Sequence, residues 1–223
     1  LQVHRYLDLG AQLTVCHGPV DVLAADAVDE LRAFGVRKPI ILTETGAVKP
    51  RHTGASELYE KDRSGILLHD MLFAPFFAVA AGTGHCWFWR QAIDGPNHWR
   101  HFQRFQRALE GIDPQAEAFE PIRIDHHELR IYALRGKTTL LAWCRDRDND
   151  WRSEFERDIP PRNRSSLRLD HAALGIGPAA RDLSVEVYDP WGDTWASAQV
   201  SEKTIALPDF QRSLVVRVRR KAK

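Results

Sequence analysis

Cysteine is scarce in this chain: Cys16, Cys86 and Cys144 are three in 223 residues, far apart and without a C-x-x-C pair. A disulfide framework and a structural zinc site are therefore not expected. A surplus of one charge is also missing, since 31 Lys plus Arg stand against 30 Asp plus Glu, and composition gives no argument for a nucleic-acid partner. No apolar run approaches the roughly 18 residues of a membrane span. The opening Leu1-Gln2-Val3-His4 lacks the charged start and small-residue cleavage site of a signal peptide. There is no G-x-G-x-x-G, no Walker loop and no G-x-S-x-G elbow, which argues against a nucleotide fold and against a complete small α/β hydrolase. The expectation is a protein with no cofactor, no metal, no nucleic acid and no membrane.

What is present is globular: 43% apolar and 27% charged residues, enough chain for two modest domains or one large one. The first half alternates strand and helix. Val3 to Leu7 reads as a strand, and residues 21–34 as a helix with Val22, Ala25, Val28, Leu31 and Phe34 at helical spacing and Asp21 as its cap. Lys38-Pro39-Ile40-Ile41-Leu42-Thr43-Glu44 reads as a strand buried on both faces, closed by Gly46. A basic loop follows. Residues 64–81 then form an apolar helix that Pro75 should bend or break, residues 85–90 a third strand, and residues 98–112 a last helix. After Gly111-Ile112-Asp113-Pro114 the period becomes alternating. Short strands are expected at 129–134, 138–144, 183–188, 194–200, 203–207 and 214–218. The fold class expected is α/β plus all-β: three βα units over residues 1–114, then an antiparallel β-sandwich over 115–223.

In βα folds, function sits at the carboxyl ends of the strands. There this sequence places His4 and Tyr6, then Glu44, then Trp87 and Trp89, with Gln91 just beyond. A carboxylate, a phenol, an imidazole and indole faces suit carbohydrate chemistry, because indoles stack on sugar rings and a carboxylate stabilises or attacks an oxocarbenium-like centre. Each residue also has a plainer reading: Glu44 paired with Lys49 or Arg51, Tyr6 as an aromatic stopper, His4 as a core histidine, one of the two tryptophans as core. Asp94, in Asp94-Gly95-Pro96-Asn97, reads as a turn, and the i,i+3 pair His98 and His101 as a polar helix face rather than metal ligands.

Taken in order, His4-x-Tyr6, a helix, Ile-Ile-Leu-Thr-Glu44, a helix and a Trp-containing strand resemble strands six to eight of the clan A glycoside hydrolases, most of all the family 5 cellulase-like members with a carboxy-terminal β-sandwich. The resemblance covers residues 1 to about 114. It implies part of a (β/α)8 barrel in which Glu44 is the nucleophile of a retaining β-glycosidase, Tyr6 hydrogen-bonds it, His4 contacts substrate or carboxylates, and Trp89, Trp87 and Gln91 bind an oligo- or polysaccharide. It also implies a secreted or periplasmic parent.

The departure from that family lies in what would precede strand six. Retaining hydrolysis needs two carboxylates, and the acid/base glutamate at the end of strand four has no counterpart here. The chain opens on Leu1, directly in a strand-like run, which suggests a piece of something longer. Its natural partner would then be the missing amino-terminal part of the barrel, and this chain alone should be inactive. The competing reading is a non-catalytic carbohydrate- or protein-binding module, with Trp143, Trp151, Trp191 and Trp195 lining a sugar face.

Overall fold

The computed structural model describes residues 1–35, 37–176 and 183–220. They divide into two compact units: Leu1–Gln106 with Asp150–Pro160, and Arg107–Asn149 with Pro161–Lys223. The segment Asp150–Pro160 therefore belongs with the first unit, where the sequence reading had put it in the second. Mixed helix and sheet, with the antiparallel sheets in the second unit, describes the chain. No helix among the described residues is long and apolar enough to cross a membrane.

In the first unit, β1 (Gln2–Leu7) pairs in parallel with β2 (Ile41–Ala47). Between them runs helix α1 (Val20–Arg32), which begins directly after Pro19 and so places Asp21 inside the helix rather than at its cap. Its Leu23, Ala24, Ala27 and Val28 are fully buried. The basic loop after β2 contains a short helix, α2 (Leu58–Lys61). Helix α3 (Ile66–Phe77) is buried at every residue. Its first turn is held by Asp62, whose Oδ1 accepts from the Gly65 and Ile66 amides at 2.8 Å and whose Oδ2 accepts from Leu67 at 2.9 Å. Pro75 falls in the last turn, and the helix stops two residues later instead of bending.

The third strand expected at 85–90 does not form. Only Cys86 bridges in parallel to Thr45, and the chain then turns into a π-helical stretch at Arg90–Asp94. The remaining helix of this region is α4 (Arg100–Ala108).

The register between β1 and β2 carries the site. Val3 faces Leu42, but His4 faces Glu44, so Thr43 is an extra residue and β2 is bulged there. A bulge reverses the alternation beyond it. Leu42 and Thr45 accordingly share one face, and both approach Gly84 beside the Met71 carbonyl of α3. Ile40, Leu42, Thr45 and Ala47 are buried on that helix-facing side. On β1 the same side carries Arg5, which pairs with Asp26 and Glu30 of α1. The opposite face presents His4, Tyr6, Glu44 and Gly46. Strict alternation along β2 would place Ile40 and Leu42 on the side of Glu44; the bulge sets them on the opposite face from it.

The second unit contains α5 (Pro114–Glu117) and the strands β3 (Glu120–Ile124), β4 (Leu129–Arg135), β5 (Thr139–Asp146), β6 (Arg168–Asp170), β7 (Leu183–Asp189), β8 (Thr194–Ser197), β9 (Gln199–Val200), β10 (Thr204–Ala206) and β11 (Ser213–Arg220). They form a six-stranded sheet, β3-β4-β5-β11-β7-β8, and a three-stranded one, β6-β10-β9, with antiparallel pairing throughout. Alternate residues Leu129, Ile131 and Ala133, then Leu140, Ala142 and Cys144, then Leu214, Val216 and Val218 enter one apolar cluster with Leu169 and Ile205 of the smaller sheet. On the other face of the large sheet, Tyr132 stacks on Trp143 at 5.3 Å. The single strand expected at 194–200 is cut at Ala198: β8 stays in the large sheet and β9 joins the small one.

Candidate active site

The parallel pair brings three of the expected residues together. Tyr6 Oη donates to Glu44 Oε2 at 2.7 Å, and His4 Nδ1 lies 3.2 Å from the same oxygen. The contacts follow from the register: His4 is opposite Glu44, and Tyr6 is one pleat further on the same face, opposite Gly46. Glu44 keeps 28% of its side-chain surface exposed and His4 48%, so the group is open to a ligand. Among the described residues Oε1 of Glu44 has no hydrogen-bond partner.

Burial, then the hydrogen bond to Glu44 and its charge, push the Tyr6 phenol well above its ordinary range. The phenol therefore keeps its proton and acts as a donor. Its hydrogen bond orients the Glu44 carboxylate.

Several supporting residues were not singled out from sequence. Gly46, at φ 147°, lets Tyr59 come close: a Cβ there would sit 2.8 Å from the Tyr59 hydroxyl and meet the Tyr6 ring. That hydroxyl accepts from the Ala47 amide at 2.7 Å and lies 3.9 Å from Cys86 Sγ. Burial pushes the Cys86 thiol up to about 11, so it stays neutral. His52 meets the Tyr6 ring edge-on at 4.5 Å, and its Nε2 is 3.9 Å from Asp8 Oδ2. The only sequence signal for this rim was the concentration of Lys, Arg and His in the loop after β2.

The indoles are placed differently from expectation. Trp87 and Trp89 stand on no strand; both are exposed, at 59% and 54%, so neither is core. The Trp87 amide donates to the Thr45 carbonyl at 3.0 Å, which puts its backbone beside β2. Gln91 is exposed in the π-helical stretch. No hydrogen bond or ring contact joins Trp87, Trp89 or Gln91 to Glu44 among the described residues.

The sugar face considered for Trp143, Trp151, Trp191 and Trp195 is not formed. Trp143 and Trp151 are fully buried, with Trp151 Nε1 donating to the Gly18 carbonyl at 2.9 Å. Arg212 and Arg217 cover the rings of Trp191 and Trp195 at 4.7 and 4.0 Å.

His98 and His101 are buried, not on a polar face. Their Nε2 atoms meet the Asp62 and Ser64 carbonyls, each at 2.8 Å, tying α4 to the start of α3. Among the described residues no group of three or more His, Cys, Asp or Glu is placed to hold a metal.

No family model matches the sequence, and no curated protein matches it. Solved structures do. One described as a glycoside hydrolase is 12% identical, with 89% of this chain covering 46% of that one at a TM-score of 0.47. A family 30 endoxylanase from Clostridium papyrosolvens is 11% identical, with 90% of this chain covering 46% of it at 0.45. A family 86 β-porphyranase from the gut bacterium Bacteroides plebeius is 12% identical, with 99% of this chain covering 41% of it at 0.39. The chain spans less than half the length of each. These structure neighbours are glycoside hydrolases, and none of the three is described as family 5. At such scores the likeness carries no argument about chemistry, and the functional reading rests on the residues.

Proposed function

We propose that this chain carries the nucleophile half of a retaining β-glycoside hydrolase, built as part of a (β/α)8 barrel followed by an accessory β-sandwich. The observation that carries the reading is the sharing of one Glu44 oxygen by Tyr6 and His4, which leaves the other oxygen unengaged, on a sheet face turned away from the helices. In this reading Oε1 attacks the anomeric carbon and the leaving oxygen departs with a proton. A covalent glycosyl-Glu44 intermediate is then hydrolysed by water. Tyr6 holds the carboxylate in place through its hydrogen bond, and His4 makes its second contact. Trp87, Trp89 and Gln91, exposed in the segment that follows the Cys86 bridge to β2, are the proposed sugar platform.

The proton donor is proposed to come from a preceding part of a longer, exported protein. A two-stranded parallel sheet is far short of the strands such sheets ordinarily have, and that supports a partner of this kind. The test uses a polypeptide that includes the upstream sequence. Its hydrolysis of aryl β-glycosides should fall at least about 10³-fold on Glu44→Ala. Azide should then restore turnover of a 2,4-dinitrophenyl β-glycoside and yield the α-glycosyl azide, because the small anion attacks from the face that Glu44 vacates. Full activity in the Glu44→Ala protein, or robust turnover by the 223-residue chain alone, would overturn the proposal.

A further inference from the structure

The second unit holds a cavity of about 460 Å³ lined by Asp170, His171, Ala172, Ala173, Ile176, Glu202 and Lys203. None of these residues takes part in the Glu44 site. His171 is only 4% exposed, and among the described residues both of its ring nitrogens are buried without a hydrogen-bond partner. A buried imidazole with neither nitrogen satisfied is unfavourable, and such groups in folded proteins call for a water, an ion or a ligand.

The surroundings are rigid. Thr204 of β10 pairs with Asp170 of β6, the His171 amide donates to the Lys203 carbonyl at 2.8 Å, and the Ile176 amide donates to the His171 carbonyl at 2.8 Å. Ser201 Oγ accepts from the Lys203 and Thr204 amides at 3.3 and 3.0 Å, which fixes the turn that presents Glu202 and Lys203.

We propose that this cavity is a binding site for a small neutral polyol, of the size and chemistry of a monosaccharide. The volume falls in the range of small-molecule sites. Asp170 and Glu202 offer carboxylate acceptors, Lys203 offers donors, and the two unpartnered ring nitrogens of His171 offer further hydrogen-bonding positions. A polyhydroxylated ring uses both kinds of partner, whereas an anion meets two carboxylates and a cation meets the lysine. Ala172, Ala173 and Ile176 give a small apolar wall for the C–H face of such a ring. A metal ion does not fit, because no described cluster of ligating side chains has the required arrangement. With no aromatic platform in the lining, binding should be weak, in the millimolar range.

The test is an NMR titration of the full chain, following the His171 ring resonances, with D-glucose and D-xylose as probes and propylammonium chloride as a cationic control. The expected result is a saturable shift with at least one sugar and none with the amine. Substituting the exposed lining residues, Glu202→Gln or Lys203→Ala, should weaken the sugar response by about fivefold or more. The Glu44→Gln protein, altered at the other site, should give the unaltered titration, which separates this site from the proposed glycosidase centre. The proposal is overturned by no shift up to about 100 mM sugar, by a response to the amine alone, or by a sugar response that Glu202→Gln and Lys203→Ala both leave intact.

Discussion

Tyr6 and Glu44 are joined at 2.7 Å across two parallel strands, phenol to carboxylate, and the acceptor is the same Oε2 that faces His4. Crowding two partners onto one oxygen fixes the carboxylate plane and leaves its other oxygen directed away from them. The pairing also makes Tyr6 a reporter of Glu44, since the carboxylate is one cause of the phenol's raised ionisation.

Replacing Tyr6 by Phe should cost about 1.5 kcal/mol near neutral pH, the low end for a bond to a charged group, because Glu44 is partly exposed. The larger signature is alkaline. The folded phenol ionises above the value near 10 of an unfolded tyrosine, so the unfolded chain loses its proton first. Stability from this group is full below about pH 10 and is lost as pH rises through the folded value. Urea midpoints compared at neutral and strongly alkaline pH should converge between the wild-type and Tyr6→Phe proteins. Tyr59 is shifted the same way by burial, so part of the alkaline loss should remain in the variant.

Gly46→Ala should destabilise by about 3 kcal/mol or more, because its Cβ would lie 2.8 Å from a buried hydroxyl at a backbone angle that L residues rarely adopt. Thermal melting reads the loss. A variant with an unchanged midpoint would mean that Tyr59 can leave its bond to Ala47.

Trp151→Phe tests the assignment of Asp150–Pro160 to the first unit. The change removes the donor to the Gly18 carbonyl and part of a fully buried side chain, for an expected loss of about 2 to 3 kcal/mol. Amide exchange should quicken around Gly18 and α1. A loss confined to strands β4, β5 and β11 would contradict the assignment.

His101 gives the opposite pH signature from Tyr6. Burial first, with Arg100, Arg104 and His98 adding to it and the bond to Ser64 opposing, holds its pKa down to about 3. Stability from a depressed histidine is present above its unfolded value near 6.5 and is lost as pH falls towards the folded value. The loss should amount to about 1 kcal/mol per pH unit across that window, an order-of-magnitude figure. His101→Gln, which retains a donor for the Ser64 carbonyl, should flatten the acid limb between pH 6 and 4 in chemical denaturation. An unchanged slope would remove His101 as its source.

Much of this was readable because residue type and order survive without coordinates. An apolar run closed by Glu44, and a Tyr two residues after His4 on the preceding strand, place both at strand ends whatever the finer packing. The third strand was misread because Cys86-Trp87-Phe88-Trp89 has strand composition, while a single bridge to Thr45 takes up its pairing. β3 was missed because Pro121 speaks against a strand; it is an edge strand, where a missing amide is tolerated. The placement of Trp151 beside Gly18 is a contact across more than a hundred residues, and no local pattern announces it.

The extra residue at Thr43 makes the chemistry of this sheet a matter of parity. Were Thr43 kept but paired in regular alternation, with no bulge, Glu44 would turn towards the helices beside Leu42 and Thr45 would come to the open face. The carboxylate's availability is thus set by a count of paired backbone units. Deleting Thr43 would leave Glu44 directly after Leu42, still opposite His4 and on the open face, so the carboxylate's facing should survive loss of the bulge residue.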